Sequence, residues 1–226
     1  MDELRREAAA RVETFADEHG IRPADRLHWA LTSTIDRMTG KVWSAQEAEA
    51  DVGDPDAFRF RPWTGDDVEI YTELLGNPRV WEYLPEPFPG PFTEETARTL
   101  IEVGAFEFHH EAVAVEFGGE PIGQCLLRFD RAAGGVRTAE VAYWLGESHW
   151  GRGHMGRILP LFTRRSFEGH DLDIIYAWIH RDHEASARVA QRAGYRRDTF
   201  PLESELAETL GRPAFVRYSV TRPEGG

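Results

Sequence analysis

The stretch W150-G-R-G-H-M-G-R157 places three glycines in the order G-x-G-x-x-G. This order is typical of the loop that binds the pyrophosphate of a dinucleotide, although a single match has little weight without its structural context. Glycine lets a backbone approach an anion closely, and a helix that begins here would add unpaired N–H groups and the positive end of its dipole. The stretch therefore indicates a dinucleotide loop, another phosphate loop, or a turn that binds nothing.

The segments around this loop argue against a dinucleotide. A strand is predicted over A139-E-V-A-Y-W-L145, and in dinucleotide-binding folds the glycine run follows its strand almost directly and opens a βαβ unit. Here G146-E-S-H-W150 separates the two, and antiparallel strands are predicted upstream. The acidic residue that should end the next strand is also misplaced, because Asp171 and Asp173 precede that strand. A pyrophosphate loop of another kind or an ordinary turn remains.

Apolar periodicity predicts the other elements. An apolar face with i, i+3, i+4 and i+7 spacing predicts a helix directly after the loop; its members are Met155, Ile158, Leu159 and Phe162. Further helices are predicted to begin near Thr64 and Thr93 and to cover 185–193. Strands are predicted at 58–61, in a hairpin over 111–129 with Gly118 and Gly119 at its turn, and at 174–179 and 213–220. Antiparallel strands followed by strand-helix-strand-helix-strand predict the mixed α+β class.

The first part of the chain differs from the rest. Residues 1–56 are predicted to form a helical N-terminal extension, because an apolar stripe at Leu4, Ala8, Val12 and Phe15 suits an amphipathic helix. The acidic segment A50-D-V-G-D-P-D56 reads as a turn or linker. Residues 57–226 then form the main domain. The extension could act as an arm, a lid or an element of a homodimer, and the sequence leaves these open.

Composition limits the classes of partner. The chain has 226 residues with 26 Lys and Arg against 39 Asp and Glu, a formal charge of -13. This acidic balance argues against a nucleic-acid partner, which needs a basic surface, and is compatible with a cationic substrate. Cys125 is the only cysteine, so no intrachain disulfide can form and a reducing compartment is expected. We expect a cytoplasmic protein with no membrane partner, since no signal-like start or membrane-spanning apolar run is found.

Downstream of the loop, H180-R-D-H-E-A-S-A-R-V-A-Q-R-A-G-Y195 resembles the second signature of the GNAT acetyltransferase superfamily. In the branch that modifies ribosomal-protein N-termini and many small amines, the pattern is Asn, two residues, Ser, and a helix ending in Gly-Phe or Gly-Tyr. The chain has H183-E-A-S186 and G194-Y195. The strand at 139–145 and the loop at 149–156 resemble the fourth strand and coenzyme A loop of the same branch. The resemblance covers about residues 57 to 222.

This resemblance implies a twisted, mostly antiparallel sheet whose central strand pair splays apart, flanked by helices. It also implies acetyl-CoA as co-substrate, held by backbone groups of the strand and loop and by the following helix. The residues implied are Tyr143, Trp144, Leu145, Trp150, Gly151, Arg152, Gly153, His154, Met155, Gly156, His183 and Ser186. Three positions depart from the family pattern: Trp150 replaces Gln or Arg, His183 replaces Asn, and Ala190 stands where other branches carry a tyrosine general acid.

Acetyl transfer from a thioester to an amine needs a base for the amine and a proton donor or stabiliser for the leaving thiolate. Glu140 is the candidate base, because the resemblance places its strand beside the thioester; the alternative is an ordinary strand carboxylate. Ser186 is the candidate proton donor; the alternative is a helix-start serine bonded to its own backbone. Glu82 and Glu86 are candidates for binding a cationic acceptor, since their segment is rich in aromatic residues and prolines.

The sequence thus predicts an acetyl-CoA-dependent N-acetyltransferase that acts on a primary amine, either a protein N-terminus or a small molecule. The alternative is a non-catalytic acyl-CoA-binding or regulatory module, which the three departures would favour. No metal site is expected, because neither of the two close histidine pairs has a third ligand placed by the sequence.

Overall fold

The computed structural model describes residues 58–84, 88, 90–106, 110–130, 136–198 and 214–223. The predicted helical extension over 1–56 lies outside these residues, as does Glu86. The helices are α1 Val68–Leu75, α2 Pro78–Trp81, α3 Glu94–Phe106, α4 His154–Gly169 and α5 Glu184–Arg192. The strands are β1 Phe58–Pro62, β2 His110–Phe117, β3 Glu120–Phe129, β4 Thr138–Leu145, β5 Ile174–His180, β6 Arg196–Arg197 and β7 Phe215–Thr221. The predicted α+β class is confirmed.

The described strands form a seven-stranded sheet in the order β1-β2-β3-β4-β5-β7-β6. Neighbouring strands are antiparallel except β4 and β5, which are parallel. These two pair only where Thr138, Ala139 and Glu140 lie beside Ile174, Ile175 and Tyr176. Beyond this point β4 and β5 both continue, but they no longer pair with each other. The predicted splayed pair is therefore confirmed. The short edge strand β6 was not predicted, since two arginines carry no apolar pattern.

Each face of the sheet has its own apolar core. On one face, α4 and α5 cover a cluster that includes Val141, Phe162 and Ala190. On the other face, α1 and α3 cover a smaller cluster with Trp63 and Tyr71, against which Trp144 packs. Because successive strand residues point to opposite faces, β4 contributes side chains to both layers.

The turn between β2 and β3 is made by two glycines, as predicted. Gly118 and Gly119 have φ values of 64° and 87°, a left-handed conformation that other residues adopt only with strain. Two successive residues with positive φ match the tight hairpin turn whose twist suits the flanking strands. This turn joins β2 directly to β3, whose register shifts once, between Val115 and Glu116.

The close approach of β3 and β4 depends on Gly123. A Cβ atom at this position would lie 2.2 Å from the carbonyl oxygen of Trp144 and 2.8 Å from Cα of Leu145. We expect Gly123→Ala to lower the free energy of unfolding by about 1–3 kcal/mol, because backbone atoms must move apart. Gly65→Ala is the control, since nothing lies within 4 Å of its Cβ position. Urea denaturation measures both; equal stability of the two variants would contradict the expectation.

Asp67 fixes the start of the short 3-10 helix Gly65–Asp67, which leads directly into α1. Its carboxylate accepts from the backbone N–H and the hydroxyl of Thr64, both at 2.8 Å, and from the Arg61 guanidinium at 2.7 and 2.8 Å. Burial alone would raise the pKa of Asp67, but the hydrogen bonds from Arg61 and Thr64 outweigh it and lower that pKa. The folded pKa thus lies below the unfolded value. The resulting stabilisation is present above pH about 4 and is lost as the pH falls through the folded pKa.

We therefore expect Asp67→Asn to cost about 2 kcal/mol of unfolding free energy at neutral pH, as for hydrogen bonds to a charged group. The difference from the parent protein should shrink as the pH falls below about 4. Urea denaturation at neutral and acidic pH measures it. The exposed neighbour Asp66 provides the control, Asp66→Asn, which should change stability by less than about 0.5 kcal/mol. A cost for Asp67→Asn that does not vary with pH would contradict the assignment.

Candidate active site

The site lies where β4 and β5 separate. Beyond Glu140 and Tyr176 the two parallel strands no longer exchange backbone hydrogen bonds. β4 then leads through a 3-10 turn, Glu147–His149, to the glycine loop, and β5 leads to α5. The glycine loop therefore lies beyond the end of β4 and the first turn of α5 beyond the end of β5, on the two sides of one gap.

The glycine loop has the backbone geometry of an anion site. Gly151 and Gly153 have φ values of 72° and 76°, and Gly153 is the left-handed residue directly before α4. Among the described residues, no protein group accepts a hydrogen bond from the amides of Gly151, Arg152 or Gly153. The first amides of α4 follow directly and also have no partner within the helix. Such a run of N–H groups at a helix start suits a phosphate.

Trp150 supports this loop from outside. Its indole Nε1 donates to the carbonyl oxygen of Leu145 at 2.7 Å, which ties the loop to the end of β4. The Arg79 guanidinium lies 5.6 Å from the indole ring centre and forms an ion pair with Glu147. The side chain that departs from the family pattern thus holds the loop in place, and its indole is 39% exposed at the surface.

The His154 side chain belongs to the core and not to the loop surface. Its ring lies between Phe58 and Phe117, with ring centres 5.4 and 4.6 Å away. The side-chain Nε2 is buried without a hydrogen-bond partner among the described residues. Burial, with smaller contributions from Arg152 and Arg157, lowers the pKa of His154. A neutral ring under the loop leaves the backbone amide as the group that His154 offers to an anion.

Ser186 and Tyr143 meet across the gap. The Tyr143 hydroxyl lies 2.9 Å from Ser186 Oγ. This contact joins the part of β4 that does not pair with β5 to the first turn of α5. Burial raises the pKa of Tyr143 to about 12, although the hydrogen bond to Ser186 acts in the opposite direction. The sequence argument used only backbone groups of Tyr143, so this side-chain contact was missed.

Glu140 lies on the opposite face of β4 from Tyr143, three residues away. It is 9% exposed, and Arg128 Nη1 lies 3.3 Å from its Oε2. The two predicted catalytic residues therefore approach the gap from different sides of the sheet, Glu140 from the side of α1 and α3 and Ser186 from the side of α4.

A second carboxylate, Asp130, lies next to Glu140 and was not predicted. It accepts hydrogen bonds from Thr138 Oγ1 at 2.6 Å and from the Tyr176 hydroxyl at 3.0 Å. Burial raises the pKa of Asp130, and the charge of Glu140 acts in the same direction. The sequence could not indicate this pair, because Asp130 directly follows β3 and reaches Glu140 only through the β3–β4 register.

The ring of His183 contacts the segment after α2. It stacks on Tyr83 with ring centres 4.4 Å apart and an angle of 24° between the planes. Burial lowers the pKa of His183, whereas the nearby charge of Glu82 acts to raise it. The structure thus brings Glu82 and His183 together, and Tyr83 is a contact that the sequence argument did not identify.

A cavity of about 160 Å³ opens on the same face as Glu140. Its walls are mainly apolar and aromatic and include one cation: they are formed by Trp63, Tyr71, Leu100, Ile101, Gln124 and Arg128. Trp63 Nε1 donates to Gln124 Oε1 at 2.9 Å, which fixes both side chains. Because Arg128 both lines the cavity and contacts Glu140, the cavity adjoins the candidate base.

Neither a metal cluster nor a membrane-spanning helix is found among the described residues. Within the described part of the chain, no group of three or more His, Cys, Asp or Glu side chains is arranged to hold a metal ion. None of the described helices combines the length and apolar character needed to span a bilayer.

Comparison with known proteins agrees with this geometry. The model of the acetyltransferase (GNAT) domain family matches residues 58–196, more than half of the chain. A sheet that parts between two parallel strands and a glycine loop that leads into a helix define the acetyltransferase class of α+β folds. The chain belongs to the GNAT acetyltransferase family. No curated protein matches it.

Three similar solved structures illustrate the fold. An acetyltransferase of the GNAT family from Bacillus anthracis is 19% identical, with a TM-score of 0.58 over 74% of this chain and 95% of that one. RimJ of Mycobacterium smegmatis, in complex with CoA-disulfide, is 16% identical, with a TM-score of 0.60 over 74% and 83%. AAC(6')-Ib, in complex with paromomycin and acetyl-CoA, is 18% identical, with a TM-score of 0.58 over 74% and 94%. At such identities the likeness concerns the fold.

Proposed function

We propose that this protein is an acetyl-CoA-dependent N-acetyltransferase that transfers the acetyl group directly to a primary amine, either a protein N-terminus or a small molecule. The observation that carries the proposal is the gap between β4 and β5, with unpaired loop amides at one end and polar side chains on both faces. RimJ and AAC(6')-Ib, which have the same fold, were solved with CoA-disulfide and acetyl-CoA respectively.

The loop and β4 would hold the co-substrate. The amides of Gly151 to Gly156 are the donors for the pyrophosphate, with Arg152 adding positive charge. Backbone groups of Tyr143, Trp144 and Leu145 would line the pantetheine arm, while the Trp150 indole keeps the end of β4 and the loop together. Acetyl-CoA supplies the activated acyl group; the protein orients it in the gap.

The proposed base and the proposed donor would act from opposite faces of β4. Glu140, acting directly or through a water molecule, accepts a proton from the acceptor amine. The amine nitrogen then attacks the thioester carbonyl carbon, and the C–S bond breaks with its electron pair remaining on sulfur. Ser186 is the proposed hydrogen-bond donor to the departing thiolate on the opposite face, and the thiolate then takes its proton from water.

The acceptor would enter from the side of Glu140. The adjoining cavity, the Glu82 carboxylate beside His183 and the formal charge of -13 all suit a cationic amine. RimJ and AAC(6')-Ib share the fold at low identity and leave both acceptor classes open.

Turnover with a panel of amines tests the proposal. Purified protein is incubated with acetyl-CoA and small amines, aminoglycosides or peptides with free N-termini, and release of the CoA thiol is followed. We expect acetylation of at least one class above the rate without acceptor. Melting temperatures measured with CoA and with NAD identify the ligand of the loop, and stabilisation by NAD alone would overturn the coenzyme assignment.

The alternative is a non-catalytic acyl-CoA-binding or regulatory module. It is favoured by Ala190, which is fully buried and provides no hydroxyl where other branches of the family carry tyrosine. Tight CoA binding without turnover on any amine of the panel would support this alternative.

A further inference from the structure

The hydrogen bond between Tyr143 and Ser186 crosses the gap that would receive the thioester. Tyr143 lies on β4 beyond the last residue that pairs with β5, and Ser186 lies in the first turn of α5. Their oxygens are 2.9 Å apart, although 43 positions separate them in the sequence. No backbone pairing joins the strands here, so these two hydroxyls are the polar link between the edges at this level.

The direction of this hydrogen bond follows from the chemistry of the two hydroxyls. By distance alone either oxygen could donate. Burial raises the pKa of Tyr143 to about 12, so the phenol keeps its proton at neutral pH. A phenol is also a stronger acid than an aliphatic alcohol and hence the better donor. If Tyr143 donates to Ser186 Oγ, the hydrogen of Ser186 remains available for a third group.

We propose that Tyr143 is a positioning residue whose hydroxyl donates to Ser186 Oγ and turns the Ser186 hydrogen towards the sulfur of the departing CoA. This inference rests on the proposed function of the site. In the step concerned, the C–S bond of the tetrahedral intermediate breaks and the electron pair stays on sulfur. Both O–H bonds remain intact, and the thiolate takes its proton from water as CoA leaves.

A hydrogen-bonding role fits the acidities better than proton transfer. A thiolate whose conjugate thiol has a pKa of about 8.5 does not remove a proton from a phenol whose pKa is about 12. Two aligned hydroxyls, however, stabilise negative charge on sulfur without giving up their protons. This role differs from that of the tyrosine general acid which other branches carry on α5. Ala190 stands at that position and has no hydroxyl.

Two titratable groups, Cys125 and Tyr195, interact electrostatically with Tyr143. Cys125 lies beside Tyr143 on β3, and burial raises the pKa of its thiol. Tyr195 donates to or accepts from Thr163 at 2.8 Å, and burial raises the pKa of Tyr195 as well. Both groups are therefore neutral at pH 7. Arg165, whose charge acts on the Cys125 thiol, is itself paired with Glu111.

The acidity of the CoA thiol bound to the protein tests the inference without an acceptor amine. The ultraviolet absorbance of the thiolate is followed against pH in complexes of CoA with the parent protein and with Tyr143→Phe, Ser186→Ala and the double variant. We expect each single variant to raise the pKa of the bound thiol by about one unit. The double variant should match Ser186→Ala, because Tyr143 acts through Ser186.

Two further variants separate this role from general packing. Tyr195→Phe removes a buried hydroxyl that is bonded to Thr163 and not to Ser186, and it should leave the thiol pKa unchanged. Ser186→Thr keeps a hydroxyl and should restore most of the parent behaviour. Ser186 is half-buried in the first turn of α5. Its variants keep the test decisive if Tyr143→Phe fails to fold, since Ser186→Ala must then shift the thiol pKa and Ser186→Thr must not.

The outcomes distinguish this inference from the proposed function. A thiol pKa in Tyr143→Phe equal to that of the parent overturns the inference, whatever the amine panel shows. Tighter CoA binding in Tyr143→Phe with no change in the thiol pKa would also overturn the inference. The hydrogen bond would then only hold the two sides of the gap together. The expected shifts together with no turnover on any amine support the inference and refute the proposed transferase activity. If CoA fails to bind the parent protein, both are refuted.

Discussion

Replacing Glu140 with glutamine is expected to lower kcat/KM for the acceptor amine by about 10²–10⁴-fold, the usual contribution of a general base. Glutamine keeps the size of the side chain and a hydrogen-bond acceptor for Arg128, which lies 3.3 Å from the carboxylate. It cannot take a proton from the amine. The change therefore removes the chemistry while leaving most of the packing between β3 and β4 in place.

The measurement is steady-state kinetics with the best amine from the panel, together with CoA affinity by calorimetry. CoA binding should stay within about twofold of the parent, because Glu140 lies on the face away from Tyr143 and Ser186. Glu116→Gln is the matched control: this strand carboxylate is ion-paired with Arg61 on β1 and should be dispensable for turnover. Parent-like kcat/KM in Glu140→Gln would exclude Glu140 as the base and leave Asp130 as the nearest carboxylate to test.

Replacing Phe162 with alanine is expected to lower the free energy of unfolding by about 3–5 kcal/mol. Phe162 lies on α4 with no solvent exposure and packs on Phe60 of β1, with ring centres 5.4 Å apart. The loss combines the transfer free energy of the ring with a cavity that neighbouring side chains fill only in part. Since domains are stable by only about 5–15 kcal/mol, this single change removes a large share of the stability.

Urea denaturation at pH 7 measures this effect, and Phe162→Leu is the control. Leucine keeps most of the apolar volume and should cost no more than about 1.5 kcal/mol. Because α4 begins at the glycine loop, Phe162→Ala should also weaken CoA binding at temperatures near its melting point. A loss below about 1 kcal/mol would contradict the assignment of Phe162 to the centre of the core.

The elements of the fold could be predicted from sequence because their signals are local. The glycine pair 118–119 marks a hairpin turn, and the apolar spacing of Ile158, Leu159 and Phe162 marks one face of α4. The short strand β6 could not, since it exists only through pairing with β7. The same limit applied to Asp130, whose place beside Glu140 depends on how β3 and β4 are aligned.

Side-chain directions were the second limit. The sequence placed Trp150 and His183 as departures in a coenzyme site, without showing where their rings point. In the structure, the indole of Trp150 bonds to the end of β4, and the ring of His183 stacks on Tyr83. Neither contact has a sequence signature, because the Trp150 bond depends on how the short turn after β4 orients the ring, and the His183 contact joins segments that meet only after folding.

By itself, the sequence determined the order of the main elements, the α+β class and the glycine turn before α4, since hydrophobic periodicity and glycine placement act over a few residues. Only the tertiary structure decided that β4 and β5 part after Glu140, that Glu140 and Ser186 lie on opposite faces, and that Tyr143 reaches Ser186. These arrangements depend on strand register and on long-range packing. A shift of one residue in β4 would exchange the faces of Glu140 and Tyr143. Because helices cover both faces of the sheet, the apolar pattern of β4 alone does not show which face each side chain takes.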